Sequence, residues 1–549
     1  MNKLKKTLLA GVLIVCLALV SFKFDDRYFE IAKNLDVFAT LFKELNALYV
    51  DEINPNRTMR TGIEAMLAEL DPYTNFYPED DIEDYRTMHT GKYNGIGATV
   101  TSRKGEQTIT MIYENSPADK AGLKIGDVVT KINGISVFGR ESDELGRLLK
   151  GQTGTEVELE LRRFEEKKPL KVTVKRAVVE TPNVPHYGMI NEEVGYIQLK
   201  DFSATAASEI KQAYDEMKDE GLKKLVLDLR GNPGGLLQQS VEICNFFIPK
   251  GELVVETKGK VSSWNKKYTT LRNPIDMDIP IAVLVNSTSA SASEIVSGTL
   301  QDYDRAVIIG QKSFGKGLVQ VTRPLSYNTQ LKVTTAKYYI PSGRCIQAID
   351  YSHRNEDGSV GKVPDSLKST FYTKNRRPVK DGGGVDPDIV LEARHLSTLS
   401  KELSRQGVLF DFATRYYFQN KDQVPANTFE VSPALYDEFV AFARQSDFSY
   451  VDDASLALED LELLASQDEA YKTMESPLKE LRDRLDKKNE NDYMLYADQI
   501  KRELALEILS RYHYDKVMKF VSFEKDQEVQ TALELFKDMP RYNQILKGK

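Results

Sequence analysis

The chain has 549 residues, 41% of them hydrophobic and 28% charged, a balance that excludes both a disordered tail and a polytopic membrane protein, at a length beyond one compact core. The formal net charge of −8 offers no case for a concentrated basic face, so no nucleic-acid partner is expected. Three cysteines and five scattered histidines exclude a disulfide framework and a zinc hydrolase, and neither metal nor other cofactor is expected.

In chain order, Lys3, Lys5 and Lys6 precede an apolar run from Leu8 to Val20, the charged and apolar regions of an export signal over residues 1–22. No small-x-small cleavage site follows, and the run is short for a bilayer span of about 20 residues. Cleavage, retention as a membrane anchor and lipidation at Cys16 therefore stay open, although Ile14, Val15 and Leu17 fit a lipidation site poorly. Cys244 and Cys345 are expected as buried small hydrophobes. Between Tyr28 and Leu70 apolar residues recur at intervals of three and four, from Ile31, Leu35 and Phe38 to Ile63, Met66 and Leu67. This predicts two amphipathic helices in an N-terminal helical region, 27–90, with Asp71-Pro72 stopping the second.

From 91 to 180 the pattern changes to short β-rich runs: Ala98–Thr101, Thr108–Tyr113, Val128–Ile132, Val157–Arg162 and Leu170–Val174, with one helix at Ser142–Leu149. Gly95-Ile96-Gly97-Ala98, then Ser116-Pro117-Ala118, Gly126-Asp127 and Ile132-Asn133-Gly134, resemble a PDZ domain. The resemblance implies that the amides of Gly95, Ile96, Gly97 and Ala98 receive a substrate's terminal carboxylate while the peptide adds to a sheet edge. Leu145 and Leu149 are candidates to line a groove for apolar terminal side chains, or else to serve the domain's core. The domain could equally be a scaffold that binds another protein.

Between 181 and 395, strand runs at Tyr196–Leu199, Leu225–Leu229, Ile281–Val285 and Val307–Gly310 alternate with helices at Ser208–Glu220, Leu236–Phe247 and Ala292–Leu300. Such alternation predicts an α/β domain with much parallel pairing. From 396 to 549 the chain reads as charged and helical, exemplified by Asp452–Leu464 and Leu495–Leu509, and carries no recognisable chemistry.

Two segments of the α/β region carry the chemical signal. Asn286-Ser-Thr-Ser-Ala-Ser-Ala-Ser-Glu-Ile295 sets small hydroxyl residues between an apolar strand and a helix. There a serine meets free amides and a partial positive charge that favour an oxyanion. The same letters also read as helix punctuation, a serine-rich N-cap followed by a glutamate. Downstream, Gly310-Gln-Lys-Ser-Phe-Gly-Lys-Gly-Leu-Val-Gln320 holds Lys316 between two glycines, without the Ser or Thr of a nucleotide loop.

Together the two segments resemble the S41 serine peptidases, the C-terminal processing or tail-specific proteases. Their nucleophile stands in an Ala-Ser-Ala-Ser-Glu context and their lysine in a Phe-Gly-Lys-Gly context. The resemblance runs from Leu70-Asp-Pro-Tyr-Thr74 to Gly382-Gly-Gly-Val-Asp-Pro-Asp388 and implies that Ser291 is the nucleophile, Lys316 the base and Gln320 the third member. A lysine in that role has to be partly neutral, so its pKa must fall from about 10.4, which an apolar pocket achieves. Phe314 is the expected wall, and an uncharged Gln320 would orient the amine without raising its pKa. Leu227-Asp-Leu-Arg-Gly-Asn-Pro-Gly-Gly235 matches the family's oxyanion loop, so Gly235 and Ala292 are the expected amide donors. Asp228 and Arg230 read as an ion pair or caps, and Ser293 as a helix cap.

The implied architecture is multidomain α/β: a Clp-protease/crotonase-like peptidase core at 181–395, an inserted PDZ β-barrel at 91–180, and helical N- and C-terminal regions. The implied activity is serine endopeptidase cleavage of protein or peptide substrates with accessible apolar C-termini. Family habit and the leader together point to an exported, periplasmic protein. An activating adaptor, self-association and an inner-membrane tether stay open. Two other readings remain, an inactive PDZ adaptor and an acyl-CoA enzyme of the crotonase-like fold.

Overall fold

The structure, a computed structural model, describes residues 28–140, 142–393, 396–425, 429–467, 473–514 and 523–548. The leader with Cys16 lies outside the described residues. No helix among the described residues is long and apolar enough to cross a membrane. Two compact units are present, residues 1–76 and 77–549.

In the smaller unit the expected helices form at 28–48 and Pro55–Ala68. Asn54 caps the second, its side chain accepting from the Arg57 amide at 3.1 Å, and proline at the first helical position lacks the amide that a helix start leaves unpaired. Their apolar stripe is exposed at Ile31, Leu35, Phe38 and Met66.

The larger unit contains the expected multidomain α/β fold. Its centre is a six-stranded sheet in the order His186–Met189, Val194–Gln198, Lys224–Asp228, Ile281–Val285, Val307–Gly310, Ile389–Val390. The first pair is antiparallel and the remaining neighbours are parallel, as the strand and helix alternation predicts. Ile281–Val285 and Val307–Gly310 are buried throughout, because helices cover the sheet on both faces. Ala206–Asp219, Leu237–Asn245 and Ala292–Asp302 pack on one face, with Ile210, Ile243 and Val296 in a common core. The other face is closed by the C-terminal helices Gln527–Lys537 and Met539–Lys547, through Val529, Ala532, Leu535, Phe536 and Tyr542. A second, antiparallel sheet joins Lys266–Thr269, Leu253–Gly259, Gln330–Tyr339 and Leu318–Pro324; the sequence reading found none of its strands.

The PDZ-like segment forms its own sheet from Ala98–Arg103, Glu106–Ile112, Val128–Ile132, Ile135–Ser136, Glu156–Arg162 and Leu170–Lys175. A two-stranded ribbon, Lys92–Gly95 with Ala177–Glu180, draws its ends together. The helix Ile82–Thr90 precedes it within the larger unit, where its His89 carbonyl accepts from the Ala204 amide at 3.0 Å. Leu145 and Leu149 both sit in the domain core, one of the two places their spacing allows. Cys244 is buried, as expected, whereas Cys345 is half-buried.

Helices from Thr398 to His513 build a separate bundle around Phe412, Phe439, Ile500 and Leu504. This bundle grips the PDZ-like domain. Arg103 donates to the Gly407 carbonyl at 3.0 Å and to Asp411 at 2.8 Å while its guanidinium lies 3.9 Å from the Phe410 ring centroid. Gly407 has φ +76°, and a Cβ there would stand 1.9 Å from the Arg103 guanidinium, so glycine meets both a conformational and a steric demand. An Arg103→Ala variant is expected to lose a charge-assisted pair and a cation–π contact and to lower the thermal midpoint by about 2–4 °C in differential scanning calorimetry.

Candidate active site

The glycine-rich turn, the serine segment and the lysine segment each follow a parallel strand, Lys224–Asp228, Ile281–Val285 and Val307–Gly310, so all three loops meet at one end of the sheet. Ser291 is the N-cap of the helix Ala292–Asp302 and adopts φ +56°, ψ −112°. That is a strained conformation for a non-glycine residue, costing on the order of 1–3 kcal/mol and persisting only where its surroundings impose it. Here they do. The Ser291 amide donates to Glu294 at 2.8 Å, and its carbonyl accepts from the buried Tyr338 hydroxyl at 3.1 Å. The helix-punctuation and nucleophile readings of this segment therefore coexist: Glu294 returns to the N-cap amide as in a capping box while Ser291 faces a cavity.

Glu294 is fully buried, and four donors satisfy it. Besides the Ser291 amide these are the Ser313 hydroxyl at 2.6 Å, the Gly315 amide at 2.7 Å and the Lys316 amide at 2.9 Å. Burial pushes its pKa up, opposed by the Ser313 hydroxyl and the Lys316, Gly315 and Ser291 amides. One carboxylate thus ties the backbone of Ser291 to that of Lys316. From the sequence alone Glu294 reads only as helix punctuation.

The glycines beside Lys316 are dictated by close packing. A Cβ at Gly315 would lie 2.4 Å from the Ala348 Cβ, and one at Gly317 would lie 2.7 Å from the Gln347 amide. Gly317 donates to the Gln347 side-chain oxygen at 2.7 Å, and Ala348 donates to the Gly315 carbonyl at 2.9 Å. Lys316 and Gln320 line one cavity of about 340 Å³ with Ser291, Ala292 and Gly235. Its apolar walls include Ile295, Leu318, Val319 and Tyr338. Phe314, the expected wall, is 45% exposed instead and does not line the cavity, while its amide donates to the Ser289 carbonyl at 3.0 Å. Gln320 donates to the Thr334 hydroxyl at 3.1 Å across the antiparallel pair.

On the opposite wall, Gly234 presses against the serine: a Cβ there would lie 2.7 Å from the Ser291 Cβ and 2.9 Å from the Ala292 amide. The Gly234 amide is taken by the Asn232 side chain at 2.8 Å. Among the described residues no acceptor takes the amides of Gly235 or Ala292. Ser293 does not cap the helix; its hydroxyl donates to the Asn232 carbonyl at 3.0 Å and so fastens the helix to the glycine turn. Asp228 and Arg230 do form an ion pair, at 2.6 Å. Three titratable side chains that the sequence does not single out also face the cavity: Asp201, His89 and Lys332. Burial raises the Asp201 pKa, opposed by the Phe202 amide and His89, and burial lowers that of Lys332.

In the PDZ-like loop, Gly95 pairs with Ala177, and Ile96 is a core side chain whose carbonyl accepts from Ala118 at 2.7 Å. Gly97, at φ +78°, approaches Ser116 so closely that a Cβ would lie 2.3 Å from the serine Cβ. Ala98 opens the strand paired with Ile112. Tyr93 lies over this loop; burial raises its phenol pKa, and the Gly97 backbone opposes the rise.

Residues 193–353 match the profile of peptidase family S41, residues 108–163 that of a PDZ domain, and residues 399–536 that of the C-terminal helical domain of a probable PDZ-protease. A carboxy-terminal-processing protease of Bartonella bacilliformis is 35% identical over 58% of this chain and 73% of its own length. The chain belongs to this family. A probable CtpA-like serine protease of Staphylococcus aureus is 36% identical over 57% of this chain, which spans 62% of that protein. Among solved structures, the photosystem II D1 C-terminal processing protease aligns over 65% of this chain and 92% of its own, with 25% identity and a TM-score of 0.35.

Replacing Glu294 by alanine removes a charged acceptor from three backbone amides, each bond worth about 1.5–3 kcal/mol. We expect peptide hydrolysis by Glu294→Ala to lose about 10²-fold in kcat, with KM little changed and Glu294→Gln in between, as read by steady-state kinetics.

Proposed function

We propose that the protein is a serine endopeptidase that hydrolyses peptide bonds with a Ser291/Lys316 dyad assisted by Gln320. The observation that carries this reading is the convergence of Ser291, Lys316, Gln320, Gly235 and Ala292 on one cavity. The neutral Lys316 amine takes the Ser291 proton as the hydroxyl attacks a substrate carbonyl. The Gly235 and Ala292 amides, which no acceptor takes among the described residues, receive the oxyanion, each contributing about 3 kcal/mol in the transition state. Lys316 returns the proton to the leaving amine, and water then releases the acyl group from Ser291. Gln320, anchored on Thr334, keeps a side-chain oxygen with which to accept from the lysine amine without adding charge.

The loop Gly95–Ala98 receives the terminal carboxylate of the substrate, and the edge of the PDZ-like sheet receives its extended tail. Lys3, Lys5 and Lys6 with the apolar run after them support export to the periplasm, with the N-terminal segment as a tether where it is retained.

The test is cleavage of an unfolded reporter with an apolar or a charged C-terminal tail, by wild type, Ser291→Ala and Lys316→Ala. Only wild type should cut, it should prefer the apolar tail, and its rate should rise from neutral to alkaline pH, since the base acts unprotonated. Tail binding without cleavage by the wild type would favour the adaptor reading. Normal cleavage by Ser291→Ala would end the assignment.

A further inference from the structure

The C-terminal helix Gln527–Lys537 reaches the site from behind. Its hydrophobic face is sealed to the back of the parallel sheet, where Val529, Ala532, Leu535 and Phe536 meet Val226, Leu284 and Ile309. Downstream of it, the Tyr542 hydroxyl accepts from the Ile281 amide at 2.9 Å and donates to the Ile281 carbonyl at 3.1 Å. The helix is thereby held in register with the strand that leads to Ser291.

The N-terminus of this helix stands where the strands end and the three loops begin. Asp526 caps it, accepting from the Val529 amide at 3.1 Å. The same carboxylate takes Arg230 in a two-pronged pair, both bonds at 3.0 Å. Glu528 accepts at 3.1 Å from Arg230 Nη1, one of the two nitrogens that hold Asp526, and, with its second oxygen, from the Gln311 side chain at 3.1 Å. Arg230 opens the glycine turn that ends at Gly235, and Gln311 opens the loop that carries Lys316. Their strands flank Ile281–Val285, which leads to Ser291, so Glu528 spans the site from one outer loop to the other.

Arg230 is only 20% exposed and satisfies three carboxylates, the third being Asp228, which also accepts from the Tyr196 hydroxyl at 2.7 Å. An arginine fork fixed by planar, charge-assisted pairs has little freedom, and neither has the backbone that bears it. The restraint passes on: the Gly231 amide donates to Asn286 at 3.1 Å, at the start of the serine segment, and the Ala290 amide donates to the Asn232 carbonyl at 3.0 Å. No such coupling is visible in the sequence, where Arg230 and Asp526 are 296 residues apart.

We propose that Asp526 and Glu528 are positioning residues for peptide hydrolysis: the C-terminal helix is a clasp that holds the Gly235 turn through Arg230 and the Lys316 loop through Gln311. This rests on the peptidase reading above and gives the C-terminal segment a part in catalysis without touching substrate. The active site is then complete only when the helix Gln527–Lys537 has docked.

The decisive variants are Glu528→Ala and Glu528→Gln, with Phe536→Leu as a control that loosens the same helix away from the loops. In the full-length protein, Glu528→Ala should lower kcat about 10-fold with unchanged KM, and Glu528→Gln should recover part of the loss. Hydrogen exchange read by mass spectrometry should speed up in 229–236 and 310–317 for Glu528→Ala but not for Phe536→Leu. Unaltered exchange in both loops, or an equal kcat loss in Phe536→Leu at matched thermal stability, would overturn the proposal. An inactive wild type would instead fail the peptidase reading, and the exchange data alone would then decide whether the clasp exists.

Discussion

A buried carboxylate with four donors is the constraint from which the rest of this site follows. Ser291 has a backbone conformation that few side chains tolerate, and it persists because Glu294 holds its amide and Tyr338 its carbonyl. An ionised carboxylate inside a protein is costly unless its lone pairs are filled, and the donors that fill these belong to the two segments that must be kept together. Satisfying Glu294 therefore also joins the backbone of Ser291 to that of Lys316.

Around this centre each loop is braced by a different neighbour. The glycine turn leans on Ser291 through Gly234 and is fastened by Ser293 to the helix that follows the serine. The lysine loop is packed against Gln347 and Ala348, which is why its lysine stands between glycines. The parallel sheet brings the loops to one end, and the C-terminal helices close its other face. The helical bundle meanwhile holds the PDZ-like domain through Arg103, so the C-terminal region contacts both that domain and the peptidase core.

What was legible in the sequence follows from how strongly burial writes itself into residue type. Ile281–Val285 and Val307–Gly310, enclosed on both faces, are continuous apolar runs, and the structure has them at the expected bounds. The strands Leu253–Gly259 and Gln330–Tyr339 are mixed in composition and only partly covered, so their periodicity was too weak to read. Family motifs pointed to the residues that line the cavity, but residue type alone misled where the chain turns outward: Phe314 is apolar yet exposed. Glu294, Asp526 and Glu528 look like ordinary helix-start acids, and their partners in other loops appear only once the chain is folded.

If the loop that Glu294 ties to Ser291 makes its hydroxyl nucleophilic, a fluorophosphonate should react there. Peptide mapping after labelling should place one adduct on Ser291 in the wild type, with little or none in Lys316→Ala and slow formation in Glu294→Gln. An adduct on another serine, or equal labelling of Ser291 in all three proteins, would mean that neither Lys316 nor Glu294 activates Ser291.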